Sequence, residues 1–199
     1  MTADGPRHSA VAPPTGWAAL VVVAGEGARP EVVLRGRAEL RDRGGRVRRN
    51  VYHVARTLDL AAAAALVEAA ERIATEQAAA AFERTLREAT DEGAVVRSCA
   101  VVVGAFAGAR LESLLASHAL VHAAEGRLYQ RALLRGAEAP STPQPFRLGR
   151  SGTRARLRRR RGDKPRHRID ELRREVGPPW ARDQKLAALA AWIALARSS

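Results

Sequence analysis

His118, His122, Glu125 and Tyr129 stand at positions i, i+4, i+7 and i+11. On a helix that spacing puts all four on one face. Two imidazoles one turn apart can chelate one metal ion, and a carboxylate one turn on can be a third ligand or a base. The run lacks the glutamate of a His-Glu-x-x-His motif, so a divalent metal is the disfavoured option and no metal ligand is assigned. The plain alternative is a polar helix face whose histidines bond to neighbours, with Val121 and Leu128 turned to the core. Ser117 precedes the run, but no Gly-x-Ser-x-Gly elbow surrounds it. Asp183 opens a later helical stretch, where a carboxylate suits the positive helix end and could also orient a histidine. The candidate catalytic set is therefore His118, His122, Glu125 and Asp183. There is no Gly-rich phosphate loop and no dinucleotide fingerprint; Gly25-Glu26-Gly27 is turn chemistry.

The second chemical feature is charge. The net charge of +13 is unevenly spread. Residues 1–139 hold 18 Arg against 16 acids, whereas residues 140–199 hold 16 Lys and Arg against 5 acids. Between 147 and 168 there are 11 basic residues and one acid, Asp163. Such a stretch can grip phosphates, and Arg154, Arg156, Arg158, Arg159, Arg160, Arg161 and Lys164 are the candidate nucleic-acid contacts. It has neither a 2.0 nor a 3.6 apolar period, and Pro, Gly and Ser interrupt it, so it also reads as a disordered stretch or, in an Arg- and Ala-rich sequence, as an out-of-frame one.

The elements that must position these residues follow from periodicity. Residues 1–15 are polar, contain Pro13-Pro14 and read as a disordered tail. The run 17–24 fits a strand buried on both faces, and 31–40 a second strand, the two forming a hairpin. Residues 51–54 read as a short third strand or an irregular loop. Asp59 is an N-cap for a helix over 60–90, whose alanines favour close packing. A strand over 94–103 and a helix over 111–135 follow. The basic segment 140–168 reads as flexible, and helices over 169–175 and 181–196 close the chain. The domain boundaries are thus 1–15, 16–139, 140–168 and 169–199. Val21, Val33, Val101 and Val103 are expected in a central sheet flanked by Leu66, Ile73, Phe82, Leu120 and Ile193.

Length and composition bound the class. At 199 residues the chain suffices for one domain with a real core. The single cysteine, Cys99, excludes a disulfide framework and is most simply core. No apolar run approaches the ~20 residues of a membrane span, and the first residues have no apolar signal region. A cytoplasmic globular α/β protein without a membrane partner is expected.

A hairpin followed by strands alternating with helices resembles the ribonuclease H-like fold: a three-stranded antiparallel meander, a helix, a parallel strand, a helix, a fifth strand and a closing helix. The resemblance covers about 17–139 and 169–197. Ala116-Ser117-His118 through Glu125-Gly126, and Gly177-Pro178-Pro179-Trp180-Ala181-Arg182-Asp183-Gln184-Lys185, are also similar to the two motifs of an uncharacterised bacterial family. Two departures from the ribonuclease H-like pattern stand out. The fifth strand should fall where the basic segment lies, and nothing there reads as a strand. The resemblance also implies two metal ions on clustered acids, one an Asp on the first strand, yet 17–24 contains no acid. Three readings result: a ribonuclease H-like module without those acids that binds nucleic acid or a partner; a hydrolase-type enzyme using the His/Glu helix face; or a scaffold that forms a homo-oligomer through its Ala-rich helices. Trp180 is read as packing.

Overall fold

Two near-continuous apolar runs present apolar side chains on both faces, and these segments become the two strands that flank the central one in a five-stranded sheet of order β3-β2-β1-β4-β5. The computed structural model describes residues 7–12, 16–25, 29–41, 44, 50–104, 108–138, 142–143, 145–149 and 165–198. Strands β1 (Arg7–Ala12), β2 (Trp17–Ala24) and β3 (Glu31–Glu39) run antiparallel in succession. Strand β4 (Val96–Val103) lies parallel to β1, and β5 (Pro145–Gly149) parallel to β4. Helices α1 (Val51–Ala55) and α2 (Leu60–Asp91) carry the chain from β3 to β4, and α3 (Leu111–Ala116) and α4 (His118–Gly136) from β4 to β5. Helices α5 (Pro165–Val176) and α6 (Arg182–Ser198) close the chain.

Four sequence expectations need correction. Residues 7–12 are not tail: they form the central strand, hydrogen-bonded to β2 on one side and β4 on the other. Arg-His-Ser-Ala-Val-Ala has one β-branched residue, and its strand state is imposed by the two partners rather than by propensity. The segment 17–24 is accordingly the second strand of the meander. Residues 51–55 are helix α1 rather than a strand. Part of 140–168 is ordered structure: β5 supplies the fifth strand and α5 begins at Pro165. Among the described residues strand β5 is the edge of the sheet, paired with β4, where a leading proline is tolerated, and its Leu148 is buried. The helix expected over 111–135 is broken at Ser117, which is the C-cap of α3 and the N-cap of α4.

Each face of the sheet carries its own core. Ala18, Leu20, Cys99 and Val101 face α1, α2 and α4, together with Tyr52, Ala78, Phe82, Val121 and Leu128. Ala19, Val21, Val23, Ala100, Val102 and Leu148 face α5 and α6, together with Ile169, Leu172, Trp180, Trp192 and Leu195. Helices α2 and α4 approach closely. A Cβ on Gly136 would lie 2.7 Å from the Ala78 Cβ and 2.8 Å from the Ala79 N. The alanines that raise the helix propensity of α2 thus also permit this crossing.

Parallel pairing brings the C-terminal ends of β1, β4 and β5 to one end of the sheet. Val103, at the end of β4, pairs with Gly149, at the end of β5. Beyond β4, the Gly104 N–H donates to Gln130 Oε1 at 3.1 Å. His122 precedes Gln130 by two turns, about 12 Å along the axis, so the first turns of α4 overhang the strand ends.

Candidate functional site

Glu125 organises this overhang. The N-terminal amides of α1 need acceptors, yet Asn50, the residue before the helix, provides no side-chain cap. Glu125 supplies it from α4: its Oε1 accepts from Tyr52 N at 2.8 Å and from His53 N at 3.3 Å. The same oxygen lies 3.3 Å from His53 Nδ1. Val51, Tyr52 and Ala55 bury the other side of α1, so His53 is held where the first turns of α4 pass.

There it meets His118 and His122. Ring centroids are 5.7 Å apart for His53 and His118, 4.8 Å for His53 and His122, and 4.5 Å for His118 and His122. The Nε2 atoms of His118 and His122 are 3.1 Å apart. One ring nitrogen from each of the three can be chosen so that all lie within 4.8 Å of one another. His118 and His122 are exposed and His53 is half-buried, whereas Glu125 is only 5% exposed. The helix face expected from the spacing is therefore split: the histidines stay at the rim, and Glu125 and Tyr129 turn inward. The second carboxylate oxygen, Oε2 of Glu125, is buried and has no hydrogen-bond partner among the described residues.

A charged layer backs the cluster. Glu71 of α2 pairs with Arg131 at 2.6 Å and with Arg135 at 2.8 Å, both on α4. Burial pushes the Tyr52 phenol above its usual pKa; Arg131 opposes the shift, and Glu71 and Glu125 add to it. Tyr52 thus remains neutral beside this layer.

Asp183 is not brought to the histidines. It lies in the first turn of α6, on the opposite face of the sheet, and no contact among the described residues joins it to them. Its surroundings are architectural. Arg35 of β3 donates to three successive carbonyls, Gly177 O at 3.0 Å, Pro178 O at 2.9 Å and Pro179 O at 2.8 Å. Trp180 is buried and donates from Nε1 to Ile169 O at 2.7 Å. Lys185 pairs with Asp170 at 2.6 Å. Ser117 caps α4 by accepting from Leu120 N at 3.4 Å. Arg154, Arg156, Arg158, Arg159, Arg160, Arg161 and Lys164 lie outside the described residues. Sequence reading missed His53, which stands 65 positions before His118. The available signal was the apolar spacing of Val51, Tyr52 and Ala55, which fits one turn of helix better than a strand.

No family model matches the chain, and no curated protein matches it by sequence. Among solved structures, the chain is similar to T. thermophilus RuvC in complex with Holliday junction substrate. The TM-score is 0.53 at 12% identity, covering 94% of this chain and 90% of the other. A likeness at this identity bears on fold alone, and it supports a mixed α/β fold of the ribonuclease H-like kind. No helix among the described residues is long and apolar enough to cross a membrane.

Proposed function

We propose that this protein is a nucleic-acid-binding module built on a ribonuclease H-like fold, without the acidic two-metal centre of nucleases of that fold. The observation that carries this reading is the concentration of positive charge in one stretch of the sequence. The stretch from 147 to 168 holds 11 basic residues and one acid. Its first residues, Arg147 to Gly149, end strand β5, where Gly149 pairs with Val103 at the C-terminal end of β4. Arg154, Arg156, Arg158, Arg159, Arg160, Arg161 and Lys164 are the phosphate contacts in this reading, and arginine suits the role through its planar, multidentate donor set.

Two further points support it. The solved structure of similar fold contains a Holliday junction, so the fold can present a surface to DNA. The first strand, Arg7–Ala12, contains no Asp or Glu, and Asp183 has no acidic counterpart there with which to share a metal.

The test uses fluorescence anisotropy with a linear duplex and a four-way junction of equal length. Binding of both by the whole protein, lost when Arg154, Arg156 and Arg158–161 are all replaced by Ser, is the expected result. Unchanged binding by that variant refutes the assignment of the arm. Absence of binding by the whole protein at low salt refutes the reading altogether.

A further inference from the structure

We propose that His53, His118 and His122 form a binding site for one divalent transition-metal ion of the zinc type, with Glu125 as the positioning residue for His53. Two exposed histidines one turn apart on a helix are ordinary. A third from another element, with its Nδ1 against a buried carboxylate, is not. Hydrogen-bonding of one ring nitrogen to a carboxylate fixes the tautomer and raises the basicity of the other, the usual arrangement behind metal-bound imidazole. Here Glu125 Oε1 takes Nδ1 of His53, which leaves Nε2 with the free lone pair.

The distances fit a small tetrahedral ion. Zinc bound about 2.1 Å from each nitrogen sets neighbouring donors about 3.4 Å apart. His118 and His122 already present their Nε2 atoms at 3.1 Å. With one ring nitrogen taken from each histidine, the widest pair lies within 4.8 Å, so the donors need to close by up to about 1.4 Å, through rotation of rings at the solvent rim. Three neutral nitrogen donors suit zinc, cobalt or nickel, whereas magnesium prefers oxygen donors. The ion would also bring positive charge toward Glu125, whose second oxygen is buried without a partner. With three protein ligands at an exposed rim, a fourth coordination position stays open, as in sites that bind water or an anion. This inference is independent of the nucleic-acid reading and is tested without nucleic acid.

The experiment is calorimetric titration of untagged, EDTA-treated full-length protein with zinc chloride, and in parallel with magnesium chloride. One equivalent of zinc should bind, zinc alone should raise the melting temperature, and cobalt should give the visible bands of a tetrahedral site. His118→Ala and His122→Ala should each remove the binding while leaving the metal-free melting temperature within a few degrees, since both rings are exposed. Glu125→Gln keeps an acceptor for the α1 amides and should weaken zinc by about 10- to 100-fold. His167→Ala removes an exposed histidine paired with Glu171 at 3.2 Å and should change nothing. Failure to bind zinc stoichiometrically, equal response to magnesium, or wild-type affinity in His118→Ala and His122→Ala would each overturn the proposal.

Discussion

Replacing Arg35 by Ala should destabilise the protein by about 2–3 kcal/mol, and the reasoning starts from the chemistry of Gly177-Pro178-Pro179. Two consecutive prolines contribute carbonyls but no N–H, so this connection between α5 and α6 has surplus acceptors. Arginine has five donors and no acceptor. Arg35 meets that surplus with three hydrogen bonds of 2.8 to 3.0 Å, reaching across 142 to 144 positions of sequence. Hydrogen bonds from a charged donor contribute about 1.5–3 kcal/mol each when sheltered. Two of these three are exposed, so the sum is discounted to about 2–3 kcal/mol. For a chain of this length about 1 kcal/mol moves the melting temperature by 2–4 °C, so the expected drop is about 5–10 °C. Lysine can offer only a point charge and cannot span three carbonyls; Arg35→Lys should recover less than half of the loss. Thermal unfolding followed by circular dichroism reads both variants. An Arg35→Ala melting temperature within 1 °C of wild type, or full recovery with Lys, would show that the clamp does not hold the connection.

Gly136→Ala should also destabilise, by about 1–2 kcal/mol: overpacking against the Ala79 backbone costs about 1–3 kcal/mol and outweighs the gain of up to about 1 kcal/mol in helix propensity. Urea unfolding measures it, and a stabilised variant would contradict the close α2–α4 crossing. Val101 is fully buried between β1 and β5, and Val101→Asp should prevent folding by burying an unpaired charge; a soluble variant with a cooperative melt would contradict the sheet order.

Legibility in the sequence tracked how much each element depends on itself. Helix α2 carries its own signals: Asp59 caps it through Ala62 N at 2.9 Å, and a 32-residue helix follows. Strands β2 and β4 announce themselves through Val21-Val22-Val23 and Val101-Val102-Val103. Of the expected core, Val21, Ile73, Phe82, Val101 and Ile193 are buried, and Leu66, Val103 and Leu120 pack partly buried against it. Strands β1 and β5 lack such runs because each exists through pairing, β1 between two neighbours and β5 against β4. The site divided in the same way. His118, His122 and Glu125 were visible from helical spacing within one element. His53 reaches them only because Glu125 caps a five-residue helix from a different part of the chain, a relation no local pattern encodes. The motif around Asp183 was legible as a motif but not as a clamp, since its partner, Arg35, stands on β3.

The central claim is that the arginine-rich stretch binds nucleic acid through phosphates, and the salt dependence of duplex binding tests it most directly. Neutralising about six phosphates gives a slope of log binding constant against log salt near −5. The account predicts a slope of about that size for the whole protein and one near zero for a variant lacking residues 150–164, with the melting temperature of that variant nearly unchanged. A shallow slope in the whole protein, or an undiminished slope after the deletion, would contradict it.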